Sequence, residues 1–155
     1  MILNEIIATT SSEVGISWLD FYSIGHICFG IGVFLFFSLF YTIPKAKGKT
    51  PIVSLLFVFI LTLIILIAWE ILENTLLLVM NLKFENRTDS PQNIFTDMIF
   101  GILGGLGAWV FAYMTFEKDR KVWPYYTFGI IAFVLWLGIF IILRNLTLHN
   151  APIIS

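Results

Sequence analysis

The chain has 155 residues, of which 59% are hydrophobic and only 12% are charged. A mean hydropathy of +0.94 excludes an ordinary soluble domain and indicates an integral membrane protein. The formal charge of −1 offers no basic surface for nucleic acid, so the partner expected from composition is the lipid bilayer.

The first 16 residues contain Glu5 and Glu13 but no lysine or arginine. A secretory signal peptide begins with a basic segment, so this stretch is not typical of one. We expect a short amphipathic segment that leads into the first helix.

The apolar segments that follow predict an all-α integral membrane protein, a bundle of four transmembrane helices in a single domain over residues 1–155. A helix rises about 1.5 Å per residue and needs roughly 20 apolar residues to cross the hydrocarbon. Proline suits the first turn of a helix, so Pro51 and Pro91 are expected to open the second and third helices, the latter capped by Ser90. The helices are predicted at about residues 18–43, 51–82, 91–116 and 125–143.

The distribution of basic residues predicts the topology. Short loops that are rich in lysine and arginine stay on the cytoplasmic side of a membrane. Six of the 9 basic residues fall in two such loops, at 45–49 and 118–121. This bias predicts a multi-pass protein of the cell membrane with both termini outside, together with the loop between the second and third helices.

Three of the apolar runs are each bounded by one ionisable residue, namely His26, Glu70 and Asp97. The runs have similar lengths and alternate in direction, so the three residues are expected at one level near the outer interface. Ionisable groups at that depth are costly unless they pair, share a proton or bind a cation. We therefore predict that Glu70 and Asp97 share one buried site with His26.

Glu73 lies three residues after Glu70, so both carboxylates project from one helical face. In the simpler interpretation they mark the point where the helix leaves the bilayer. In the functional one Glu73 lies at the rim of the shared site, and an imidazole with several carboxylates suits a divalent ion such as Zn²⁺, Mn²⁺ or Fe²⁺. The candidate metal ligands are His26, Glu70, Glu73 and Asp97.

Small residues recur behind Asp97 in the third helix at spacings of three and four, including Gly101, Gly104 and Gly105. Such a stripe lets a neighbouring helix approach closely. We expect it to pack on the glycine-bearing part of the first helix near Gly30, which would turn Asp97 into the bundle.

Three sequence blocks carry a resemblance to known families: Gly25-His26, Trp69-Glu70 with Glu73-Asn74, and Asp89-Ser90 with Asn93 and Asp97. This pattern resembles uncharacterised small polytopic membrane families with GH, WExxEN and DSxxNxxxD blocks and, more distantly, the VanZ-like and YjdF-like families. It covers about residues 20–108 and implies a helical membrane protein without an assigned reaction. The chain lacks the Glu-x-x-Gln and the arginine-bearing loop expected of VanZ-like proteins, so the resemblance does not imply glycopeptide resistance.

The sequence contains no G-x-S-x-G, H-E-x-x-H or phosphate-binding loop motif. We therefore predict a small subunit or scaffold of a membrane assembly, held by other membrane-protein subunits or by self-association, with an outward-facing cluster as a candidate cation site. Two alternatives stay open. One is a metal-dependent membrane enzyme acting on a lipid or isoprenoid head group, and the other is a proton-coupled carrier.

Overall fold

A computed structural model describes residues 6–8, 10–83 and 86–149, and it describes side chains within these ranges except at 11, 140 and 143–149. The predicted lead-in over residues 1–16 therefore lies partly outside the described residues. The described part confirms an all-α fold of four helices. These are α1 (Tyr22–Ala46), α2 (Leu55–Leu72), α3 (Pro91–Phe116) and α4 (Trp123–His149), and α2 continues into a π-helical turn at Glu73–Leu77.

Three helical segments are long and apolar enough to cross a membrane: Tyr22–Ala46, Leu55–Leu77 and Pro91–Phe116. In the described part of α4, the apolar segment Trp123–Ile139 is shorter than these three. The chain is thus a membrane protein with several apolar helices.

The start of α1 differs from the prediction, because the helix begins at Tyr22 rather than near residue 18. The Asp20 carboxylate accepts hydrogen bonds from the backbone N–H groups of Tyr22 at 2.7 Å and Ser23 at 3.3 Å. An acidic side chain that satisfies the free N–H groups of a first turn fixes where that turn begins. Just before it, the Leu19 backbone pairs with Ile7 in an isolated bridge.

The expected start of α2 at Pro51 is also wrong. The helix begins at Leu55, and the Ser54 hydroxyl accepts a hydrogen bond from the Phe57 N–H at 3.1 Å. The Ser54 side chain satisfies a free backbone N–H group of the first turn, whereas a proline in the first turn only lacks such a group. The serine therefore sets the later start of the helix. The prediction for α3 is confirmed, with Ser90 as the N-cap and Pro91 in the first turn.

The closest approach in the bundle joins α1 to α3. A Cβ atom on Gly30 would overlap the backbone carbonyl of Gly101, and one on Gly104 would overlap the carbonyl of Ile27. Gly101 and Gly105 also pack against α2. A Cβ atom on Gly101 would lie 2.7 Å from Leu66, and one on Gly105 would lie 3.2 Å from Thr62. Gly30, Gly101, Gly104 and Gly105 therefore all lie at helix contacts.

The other half of the bundle is closed by large side chains and by hydrogen bonds between α1 and α4. Phe34, Val58 and Tyr125 are at most 1% exposed and form the centre of the core. The Tyr125 hydroxyl lies 2.7 Å from the Ser38 hydroxyl on α1. This packing leaves the polar cluster at the opposite end, near the first turns of α1 and α3.

Candidate metal centre

The ionisable residues predicted from the three apolar runs meet around the His26 imidazole. Its Nδ1 lies 3.4 Å from Glu70 Oε1 on α2, and its Nε2 lies 3.5 Å from Asp97 Oδ2 on α3. All three residues are buried, with 8%, 7% and 4% of their surfaces exposed. Helices α1, α2 and α3 thus each contribute one buried ionisable side chain to this contact.

Glu73 lies close to the same group. One ligand atom each from His26, Glu70 and Glu73 lie within 4.8 Å of one another. Donor atoms bound to one ion at about 2.0–2.2 Å can be up to about 4.4 Å apart, so a small contraction would bring these three around a metal. Glu73 opens the π-helical turn, and its side chain is 26% exposed, which places it at the edge of the cluster.

Asp97 lies apart from that group of three, on the Nε2 side of the imidazole. The Ser23 hydroxyl donates a hydrogen bond to Asp97 Oδ1 at 3.0 Å, which holds the carboxylate toward the ring. In metal sites, a carboxylate that accepts the second ring N–H of a histidine ligand fixes its tautomer and orientation. Asp97, predicted as a fourth ligand, is placed to orient His26.

A buried lysine joins the cluster. Sequence reasoning missed it because Lys83 falls between the predicted second and third helices, and loop lysines are usually exposed. Its side chain is 3% exposed, its Nζ lies 3.4 Å from Glu73 Oε1, and it donates a hydrogen bond to Asp89. Burial raises the pKa of the Asp89 carboxyl, although Lys83 and the Asn74 side chain act in the opposite direction. The pairing joins α2 to a loop residue, so no helical spacing could have revealed it.

The segment before α1 folds back over this end of the bundle. The Arg87 guanidinium donates hydrogen bonds to the backbone carbonyls of Ser12 and Val14. The Ser90 N–H donates to the Gly15 carbonyl at 2.7 Å. These contacts attach the N-terminal segment to the loop between α2 and α3.

Gly15 is the point where the folded segment comes closest to the cluster. Its φ of +73° favours glycine, its N–H donates to Asp20 Oδ2 at 2.9 Å, and a Cβ there would lie 2.5 Å from Asp89 Oδ1. Asn93 ties Asp20 to the same segment, because its amide donates to Asp20 Oδ2 at 3.2 Å and to the Ser17 carbonyl at 3.0 Å. Asp20, which precedes His26 by six residues, also lines the cavity.

The cavity beside His26 measures about 70 Å³. A water molecule needs roughly 10–15 Å³ by this kind of measure, so the space suits an ion with several waters or a small polar group. His26, Glu73 and Asp97 line it, as does Lys83. A ligand that entered the cavity would therefore meet most of the cluster directly.

A family model described as "Predicted membrane protein (DUF2238)" matches residues 7–118. The chain belongs to this family. Comparison with curated proteins and with solved structures gives no match. Membership of DUF2238 confirms that the chain belongs to a membrane-protein family, whose description carries no activity. The GH, WExxEN and DSxxNxxxD blocks as family motifs and the VanZ-like and YjdF-like resemblances stay predictions.

The DUF2238 match spans the N-terminal segment and helices α1 to α3. It therefore includes His26, Glu70, Glu73 and Asp97, and it ends before α4. All the candidate metal-site residues lie in the part of the chain that the family model matches.

Proposed function

We propose that this DUF2238 protein is a membrane protein that binds a divalent metal ion through His26, Glu70 and Glu73, with Asp97 orienting the imidazole. The observation that carries the proposal is the meeting of three ligand atoms within 4.8 Å, two of them on buried residues. One nitrogen and several carboxylate oxygens suit Zn²⁺, Mn²⁺ or Fe²⁺.

The local charge supports a bound cation. A buried charge that lacks a partner costs several kcal/mol, so unequal numbers of acids and bases favour ion binding or protonation. Lys83 is the lysine that contacts this cluster among the described residues, and it is already paired with Glu73 and Asp89. The carboxylates in or beside the cavity are Asp20, Glu70, Glu73, Asp89 and Asp97.

We propose that the ion joins α1 to the end of α2, so that it stabilises the outer end of a scaffold or subunit. The tightly packed residues Phe34 and Val58 lie on the other side of the glycine contacts. Close packing in the described part of this half does not favour the water-lined path that a proton-coupled carrier needs, so we favour a resident ion.

A second candidate function is metal-dependent attack on a lipid head group. The observation that favours it is the cavity next to His26, which would let a substrate approach a metal-bound water. A divalent ion can lower the pKa of a bound water to about 7 and so supply a nucleophile.

The metal proposal predicts that purified protein stripped with EDTA binds Zn²⁺ or Mn²⁺ at one site, as measured by calorimetry and metal analysis. Glu70→Gln and Glu73→Gln each remove a ligand and are expected to weaken binding by at least about 100-fold. Asp97→Asn removes an orienting partner and is expected to weaken it by about 10- to 100-fold. Saturation to 100 times the dissociation constant would stabilise the fold by about 2.7 kcal/mol.

The matched control is Asp119→Asn, the same change at an exposed loop carboxylate. Its metal affinity is expected to equal that of the parent protein. If Glu70→Gln and Glu73→Gln bind the ion as the parent does, the assignment of these ligands is wrong.

We propose that both termini and the Lys83 loop face outside, with the metal site at the outer surface. Lys83 is buried, so labelling should use Thr88→Cys, which is exposed in the same loop, in a Cys28→Ala background. An impermeant maleimide is expected to modify Thr88→Cys in intact cells and to modify Lys47→Cys only after lysis. The reverse pattern would place the site at the cytoplasmic face.

A further inference from the structure

Aromatic rings form one wall of the cavity. The Phe29 ring on α1 lies 5.0 Å from the Trp69 ring on α2 and 5.5 Å from the Trp136 ring on α4, between ring centroids. All three residues line the cavity beside His26. Helices α2 and α4 pack against α1, with little direct contact between them in the described part of the chain. The three rings therefore lie where α2 and α4 flank α1 and leave a gap between them.

Carboxylates also line the cavity. Asp20, Glu73, Asp89 and Asp97 line the cavity, and the lysine among the lining residues is Lys83. A phosphate or other anionic head group would meet repulsion in this space, whereas a cationic group would be attracted.

An organic ammonium group fits these two sets of lining residues together. Its charge is attracted by carboxylates, and its alkyl substituents and charge both interact favourably with the faces of aromatic rings, tryptophan above all. We propose that the cavity binds an organic ammonium group carried by a small molecule or by a membrane amphiphile. At about 70 Å³ the cavity holds only the head of such a ligand, and the rest extends into the gap between α2 and α4 or into water.

This inference goes beyond the metal site. Glu73 and Asp97 belong to both sites, but the aromatic residues and Asp20 take no part in the proposed metal binding. The experiment is therefore done in EDTA, which keeps divalent ions off the protein. If the metal proposal fails, the ammonium result is unaffected, and the reverse also holds.

The probe is choline, and its control is 3,3-dimethylbutan-1-ol, which has the same shape with a carbon atom in place of the charged nitrogen. Binding to purified protein in a maltoside detergent is measured by tryptophan fluorescence and by thermal melting. Choline is expected to bind at least about 10-fold more tightly than the alcohol. Equal affinities, or no binding of choline, would overturn the proposal even if no variant folds.

The variants test the aromatic wall. Trp69→Leu is expected to weaken choline binding by roughly 2- to 30-fold, whereas Trp69→Phe keeps an aromatic face and should retain most of the affinity. The matched control is Trp109→Leu on α3, whose ring stacks on Phe59 instead of lining the cavity. Equal weakening by Trp69→Leu and Trp109→Leu would contradict a role for the aromatic wall.

The source of the ligand is tested with hexyltrimethylammonium, which carries the choline head on a longer alkyl chain. Tighter binding of this probe than of choline would assign the ligand to the bilayer and the gap between α2 and α4. Equal binding of the two would assign it to the aqueous side.

Discussion

Replacing Gly30 or Gly104 with leucine is expected to prevent stable assembly of the bundle. At both positions a Cβ atom would overlap a backbone carbonyl of the neighbouring helix, that of Gly101 or that of Ile27. A side chain can rotate away from an added group, but a helix backbone can only move as a whole. We therefore expect a loss beyond the ~1–3 kcal/mol of ordinary overpacking.

The control for Gly104→Leu lies on the same helix, α3. Nothing lies within 4 Å of a Cβ added at Gly107, so Gly107→Leu is expected to melt close to the parent temperature in detergent. Gly105→Leu should have an intermediate effect, because its Cβ would lie 3.2 Å from a methyl group of Thr62. Equal melting temperatures for Gly104→Leu and Gly107→Leu would show that the helices do not meet as described.

The glycine contact also sets the geometry of the candidate site. Gly30 follows His26 by four residues, and Gly101 follows Asp97 by four residues, which is about one helical turn in each case. The approach of the two glycines therefore brings His26 and Asp97 to the same distance from the contact. Variants that separate α1 from α3 should lose metal affinity together with stability.

The helices could be predicted because the bilayer constrains them. Apolar runs of transmembrane length are readable from composition alone, and the Ser90-Pro91 pair marks a helix start that the structure confirms. The level of His26, Glu70 and Asp97 followed from the lengths of the runs beside them. Two helix starts were predicted wrongly because nearby capping residues set them. Ser54 rather than Pro51 marks the start of α2, and the Asp20 carboxylate fixes the start of α1 at Tyr22.

The rest of the cluster depends on contacts between distant residues, and these leave no periodic pattern. The pairing of Lys83 with Glu73 and Asp89 needs a folded loop, and the attachment of Arg87 to the N-terminal segment joins residues more than 70 positions apart. Sequence reasoning places such residues in solvent by default. The structure instead gives the cluster a buried positive charge.

Lys83→Met is expected to destabilise the protein by about 3–5 kcal/mol at neutral pH, because it leaves carboxylates at Glu73 and Asp89 without their buried partner. The control is Lys49→Met, which removes a charge from an exposed loop and is expected to change stability by less than about 0.5 kcal/mol. Thermal or denaturant unfolding in detergent provides the measurement. A similar small loss for both variants would mean that Lys83 is not the counter-ion of the cluster.

The loss in Lys83→Met is also expected to depend on pH. Burial raises the pKa of Asp89 above its ordinary value of 3.8, and Lys83 opposes the rise, so the variant should have a still higher folded pKa. An acid with a raised folded pKa favours folding below its unfolded pKa, and this contribution is lost as the pH rises through the folded value. The difference in stability between parent and variant should therefore become smaller as the pH falls toward 3.8, the ordinary pKa of an aspartate. A bound divalent ion would pair with Glu73 and so replace part of the positive charge of Lys83. Added Zn²⁺ should therefore stabilise Lys83→Met more than the parent protein. Equal stabilisation of the two proteins would contradict this expectation.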